Sequence, residues 1–449
     1  MKKAIFAAIA ALLMGGAAFA QGEEETPAKF KLYGFIRNYS VIDTRAVKGG
    51  THDLYFYMPE DRKPNADGDD LNAGLRWSSL ALTTRLGLDV SGYKFGNIGV
   101  AGKVEADFYS LNGTAGSSTI AQLRLRQAYV AISRDGGHGE KIVLNVGQTW
   151  HPIAENMPHG TNLETGAPFN AFNRSPQATL RYTVGDFTFV DGLLFLSQYL
   201  PMDAEAGGKS VAPFKFGLPE CYTGIIYKKG NWLLNGGITI VNSKPIRTVS
   251  EIDPITGKAA VDADGNPKTY KAYGLLCAPT GMLFAQYTKG LLQIRAKTVF
   301  ATSGEHLNLL SGYGIKAYDA ENHFFEYTPM RTSASFVSFQ YGKKVQVMGL
   351  LGYMKQFGTA EDLMSAADLT AATGMTGNIW INTAAATNIQ EAFRATPTIA
   401  WNFGKLTLSL EYDFTMARFG EGARDANGLY GSSHWIANHR IEQMVKFNF

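Results

Sequence analysis

Apolar residues recur at every second position through many stretches of the chain. In "HRIEQMVKFNF" (439–449), Ile441, Gln443, Val445, Phe447 and Phe449 fall on one side, and Arg440, Glu442, Met444, Lys446 and Asn448 on the other. "KLTLSLEYDF" (405–414) sets Leu406, Leu408, Leu410, Tyr412 and Phe414 against Lys405, Thr407, Ser409, Glu411 and Asp413. "KVEADFYSL" (103–111) opposes Val104, Ala106 and Phe108 to Lys103, Glu105 and Asp107. In "QLRLRQAYVAI" (122–132) Leu123, Leu125, Tyr129 and Ala131 oppose Arg124 and Arg126. "LALTTRLGLDV" (80–90) repeats the pattern around Arg85 and Asp89. A two-residue period predicts strands with one apolar and one wet face. Only "EDLMSAADLTAATG" (361–374) suggests a short helix.

The connections decide what lies against the apolar faces. Short glycine-bearing turns stand at 93–97, 134–141, 184–187, 228–232, 288–292, 341–344 and 402–405. Between them fall longer polar connections near 43–77, 112–119, 151–176, 201–218, 243–270, 303–330, 356–391 and 418–436. Strict alternation of seven turns and eight loops predicts sixteen strands. The fold class is therefore all-β: a 16-stranded antiparallel transmembrane β-barrel, with short periplasmic turns and long outside loops. Closure removes the open edge that would strand unpaired N–H and C=O groups in hydrocarbon. A soluble sandwich also alternates, but it must pack its apolar faces densely together, and its loops need not be long on one side only.

The first residues do not belong to that pattern. Lys2 and Lys3, an apolar run from Ala4 to Met14 and the small-residue site Ala18-Phe19-Ala20 read as a signal peptide over 1–20. A short periplasmic segment (21–30) and a barrel domain (31–449) follow, with 151–176 as an inward-folded constriction loop. Removing Lys2 and Lys3 takes the 42 basic residues to 40 against 39 acidic ones, which argues against a nucleic-acid partner. No later apolar run reaches the roughly eighteen residues of a membrane helix. Cys221 and Cys277 are isolated; they could pair after export or serve as apolar fillers, and two cysteines make no metal framework.

Four pieces from Gly102 to Thr183, "KVEADFY", "LRLRQAYVAI", "VGQTWHP" and "RSPQATLRYT", resemble the DcaP-like trimeric outer-membrane porins in order and spacing. "KLYGFIRNYSVID" (31–43) is similar to that family's first strand. The resemblance implies a homotrimer in outer-membrane lipid and lipopolysaccharide, with a narrow pore for small anionic or neutral solutes, dicarboxylates among them. It implies no cofactor. Better-known members carry a helical N-terminal extension, for which about ten residues leave little room here.

A pore needs a constriction and a charge pattern. By analogy with sixteen-stranded porins, the third outside loop folds inward, offering His151, Glu155, His159, Asn162 and Glu164 as polar candidates or as ordinary loop residues. Arg37, Arg85, Arg124, Arg126, Arg181, Arg295 and Lys297 must face the lumen, because hydrocarbon would cost about 2–4 kcal/mol each near the midplane. Arg126 is expected opposite Glu105 and Arg124 opposite Asp107, either as a wall ladder or as pore contacts. Arg295 and Lys297, expected opposite Leu283 and Gly281, look less compensated and should carry more of a mild anion preference. No G-x-S-x-G, H-E-x-x-H or Walker-type loop occurs, so no catalytic or metal residues are assigned. A barrel hydrolase using His151, His159 or His439 and a surface-binding adhesion barrel are the competing classes.

Overall fold

The computed structural model describes residues 28–50, 55–112, 120–137, 139–161, 164–197, 199–253, 255–382 and 387–449. The proposed signal peptide, most of the segment after it and Asn162 lie outside these residues.

Sixteen antiparallel strands close into one barrel. The first is Lys29–Arg45, and the second comes in two pieces, Ala73–Leu80 and Arg85–Phe95. The next six are Ile98–Asn112, Ile120–Gly137, Glu140–Trp150, Arg174–Val184, Phe187–Leu194 and Leu218–Lys229. Then follow Trp232–Ser243, Leu276–Lys289, Leu292–Thr302, Phe324–Gly342 and Val345–Thr359. Ile389–Phe403, Leu406–Arg424 and Tyr430–Asn448 complete the wall. The seam pairs the first strand with the sixteenth, from Phe35 opposite Asn448 to Asp43 opposite Arg440.

Local chemistry explains the turn end. Five of the seven turns are two-residue loops that open on a glycine, at Gly96, Gly185, Gly230, Gly290 and Gly404, with φ between 56° and 67°. Glycine at the first central position is what a type II′ hairpin turn demands, and its twist matches that of the strands. Phe187, Trp232, Tyr341, Phe403 and Phe447 stand exposed on the outer wall beside these turns. Such a ring of aromatic side chains marks the edge of an apolar band.

The loop end departs from expectation at several boundaries; the fourth loop opens at 195 rather than 201, and the sixth closes at 323 rather than 330. The third loop ends at 173 rather than 176, because Arg174, Ser175 and Pro176 already pair with the fifth strand. The eighth connection shrinks to 425–429, since the last two strands continue as a long hairpin. The seventh loop holds the expected helix at Ala366–Thr373, capped by the Ser365 side chain and closed at Gly374 in the left-handed conformation.

The interior is not uniformly polar. Tyr55–Pro59 of the first loop, the third loop and 305–310 of the sixth loop fold into the barrel. They pack Tyr57, Ile153, Phe169 and Leu307 against inward-facing Phe284, Phe336, Leu350, Met354 and Phe419. The run "VQVMGLLGYM" (345–354) is apolar on both faces for this reason: one meets the outside, the other meets the loops.

Candidate functional site

The third loop is held by charged side chains that reach it from distant strands. Lys297 Nζ, buried, donates to the Ile153 and Glu155 carbonyls at 2.6 Å each. Arg295 Nη1 donates to Met157 O at 2.7 Å and its Nε to Gln286 Oε1 at 2.9 Å. Arg181 Nη2 pairs with Glu155 Oε1 at 2.6 Å. His159 lies between Ser338 Oγ (3.2 Å) and Gln293 Oε1 (2.8 Å), and burial, with Arg295 close by, pushes its imidazole down to about 4. Glu411 accepts from Thr161 N and Thr165 Oγ1, both at 2.8 Å.

Arg394 is the hub. Fully buried, it donates to Thr165 O and Ala167 O at 2.8 Å, and to Phe56 O and Tyr57 O at 3.1 and 3.2 Å. One guanidinium thereby clamps the first and third loops together, with Asp413 at 3.3 Å as counter-charge. A fork with five N–H donors suits this task better than an ammonium. Neither Arg394 nor Glu411 is singled out by sequence. Both sit on the wet faces of regular strands, and nothing local marks them apart from other polar positions.

The facing wall, built by the first six strands, is arginine-rich. Arg126 bridges Glu105 (2.8 Å) and Asp107 (2.6 Å), while Arg124 grips Asp107 with two bonds of 3.0 and 3.1 Å. Arg124 is directly opposite Asp107, but a bulge sets Gln127 opposite Glu105, so Arg126 lies between the two acids. Further down, three cations surround one ring. Arg37 and Arg85 each lie 4.9 Å from the Phe35 centroid, and Lys446 lies 5.9 Å away. Arg37 also donates to Thr83 Oγ1 at 2.6 Å, and the Arg85 guanidinium is 3.7 Å from Glu105. Lys446 is directly opposite Arg37 across the seam.

Arg295 and Lys297 are therefore not free positive charge, and that expectation is corrected. The turn Gly290–Leu291 sets Lys289 opposite Leu292, which places Arg295 opposite Gln286 and Lys297 opposite Phe284. Loop carbonyls neutralise the field that a bare lumenal cation would project. Glu164 opens a short 3-10 turn, Glu164–Gly166.

The histidines do not converge. His159 is in the third loop, and His439 is exposed on the outer wall against Tyr412. His151 meets Glu220 (2.9 Å), with His306 at 3.6 Å from the same carboxylate. Among the described residues, His151, Glu220 and His306 form one group close enough to hold a metal, their ligand atoms lying within 4.8 Å of one another. The hydrogen bonding disfavours a cation there. Ile153 N–H donates to His151 Nδ1 at 3.1 Å, so the neutral ring carries its proton on Nε2, aimed at Glu220, with no lone pair left to give.

A closed sixteen-stranded wall, an inward third loop and a charged inner face are now in place. The chain has the DcaP-like porin fold. It aligns with the outer membrane channel DcaP of Acinetobacter baumannii at a TM-score of 0.59 and 16% identity, over 94% of this chain and 97% of that one. An anion-selective porin from Comamonas acidovorans aligns more loosely, at a TM-score of 0.48 and 11% identity, over 94% and 100%. OmpF of Salmonella typhi aligns at 0.49 and 11%, over 95% and 100%. No family model and no curated protein matches the chain. Among the described residues, no helix is long and apolar enough to cross a membrane.

Proposed function

We propose that the protein is an outer-membrane diffusion channel for small hydrophilic solutes, with a mild preference for anions such as dicarboxylates. It acts without a cofactor, after loss of its leader, as a homotrimer; the last point rests on the resemblance of residues 102–183 to trimeric porins. The observation that carries the preference is the ring of Arg37, Arg85 and Lys446 around Phe35, where the nearest carboxylate pairing is 3.7 Å from Arg85. Glu105 and Asp107 are engaged chiefly by Arg124 and Arg126, which leaves a positive excess on this wall. In a narrow, partly dehydrated lumen such an excess acts at a lower effective dielectric than in bulk water. Guanidinium forks also suit bidentate contact with a carboxylate.

Reversal potentials in a KCl gradient test this reading. Wild type should be anion-selective, and Arg37→Gln/Lys446→Gln should lose most of the bias. Arg295→Ala/Lys297→Ala should keep it, and high salt should erase it, because screening shortens to about 3 Å at 1 M. A cation-selective wild type overturns the preference. A single-chain mass by light scattering in mild detergent overturns the trimer.

A further inference from the structure

The outer wall carries an arrangement that pore chemistry does not use. Strand alternation turns Lys355, Glu391 and Arg418 outward, away from the lumen. They are cross-strand neighbours: Lys355 is opposite Glu391, and Glu391 is opposite Arg418. Arg418 Nη1 lies 2.7 Å from Glu391 Oε1 and Lys355 Nζ lies 3.4 Å from it, while Tyr353 OH donates to Glu391 Oε2 at 3.0 Å. Arg331, nearer the loops, bonds Thr359 O at 2.9 Å and Phe357 O at 3.2 Å. Two cations thus share one carboxylate, and the Lys355 side chain remains 42% exposed and that of Arg418 32%. Cations on a barrel's outer face are costly at the midplane and tolerated near the interface, so this row lies at headgroup depth.

Directly below it, toward the turns, an apolar groove of about 450 Å³ runs across five strands, lined by Leu283, Ala296, Ser335, Val337, Leu351 and Tyr353. Leu283 and Thr298 also border a second groove of about 610 Å³, which opens where Gly236 and Gly281 carry no side chain. A basic row above paired apolar grooves matches one kind of molecule, a lipid with phosphate on its headgroup and several acyl chains.

We propose that this face is a binding site for a phosphorylated, multiply acylated lipid of the outer leaflet, of the lipid A type. Lys355 and Arg418 would hold the phosphate, Glu391 would orient both cations, and the grooves would seat acyl chains. The proposal rests on the outer-membrane reading above, and it is independent of what the lumen selects.

The test uses the folded full chain in detergent, titrated with hexa-acylated bisphosphorylated lipid A or with the same lipid freed of its phosphates, and followed by native mass spectrometry. The bisphosphorylated lipid should be retained at least tenfold more tightly than the dephosphorylated one. Lys355→Ala/Arg418→Ala should abolish that difference while single-channel conductance stays at the wild-type value. Glu391→Gln should tighten binding, and Ala296→Phe, which fills the groove, should weaken both lipids. Equal retention of the two lipids by wild type overturns the proposal, as does unchanged binding by the double variant. Displacement by millimolar inorganic phosphate would assign a free-anion site instead. Disulfide cross-linking of Lys355→Cys to a second chain would assign a subunit contact. A non-conducting wild type that still binds the lipid would sink the channel reading alone.

Discussion

The two halves of the inner wall solve different problems with the same residue type. On the first six strands, arginines face carboxylates or aromatic rings: Arg124 and Arg126 bind Asp107 and Glu105, and Arg37 and Arg85 flank Phe35. On the later strands, Lys297, Arg295 and Arg394 donate to backbone carbonyls of loops that have folded inward. In the first setting charge remains a property of the wall. In the second it is spent on satisfying acceptors that would otherwise be buried unpaired, which costs on the order of 1–3 kcal/mol per group. A lumenal cation therefore bears on solutes only where no loop backbone has reached it first.

Removing Arg394 should have the largest effect. Arg394→Met takes the donors from four loop carbonyls and leaves Asp413 without its main counter-charge. Loss of one partner from a buried ion pair costs about 3–5 kcal/mol. A lower unfolding temperature on semi-native gels should accompany a larger, noisier conductance step and protease cleavage within the first and third loops. An unchanged step would mean that these loops do not set the constriction.

A smaller effect is expected at Lys297. Lys297→Met removes two charge-assisted bonds to Ile153 O and Glu155 O while keeping most of the side chain's volume. Such bonds contribute about 1.5–3 kcal/mol each at most. Step size should rise while the reversal potential moves little. A large shift in reversal potential with a constant step would restore Lys297 as a selectivity residue.

The smallest expected effect is that of pH on His159. Its imidazole ionises near 4 in the folded chain, held down mainly by burial, against about 6.5 when unfolded. The folded state thus binds fewer protons between these values, and stability falls as pH drops. The anchor should be intact above about 6.5, weaken through the window and be fully lost below about 4. Conductance recorded from pH 7 to 4 should show increasing closure events or noise, and His159→Gln should flatten that dependence. An identical pH profile in the variant would show that another group is responsible.

The barrel was legible because its rules are local. Alternation and the spacing of glycine turns require no knowledge of partners, and the helix in the seventh loop needed only "SAADLTAATG" and its caps. The site was less so, since its contacts join distant parts of the chain. Nothing near Lys297 announces that the carbonyl of Ile153, 144 residues away, will meet its ammonium. The expected partner of Arg295, Leu283, is three residues out of register, and because strand faces alternate, an odd slip names a partner on the outer wall although Arg295 itself faces inward. Lys446 fell correctly on the wet face of the last strand, but its neighbour Arg37 arrives only through closure. The doubly apolar run at 345–354 was the one sequence signal that an inner surface would be packed rather than wet.

The seam carries a consequence for biogenesis. Asp43 and Arg440 grip each other through two bonds of 2.8 Å across 397 residues, and Asn438 adds a third to the same carboxylate. Until the last strand docks, Asp43 has neither partner, and the first and sixteenth strands both present bare edges. Pairing of ends so far apart comes late and slowly, because the entropy of closing the loop must be overcome before any contact rewards it. The seam is thus a checkpoint on completeness: a chain shortened by its last dozen residues could build every other hairpin and still not become a sealed wall.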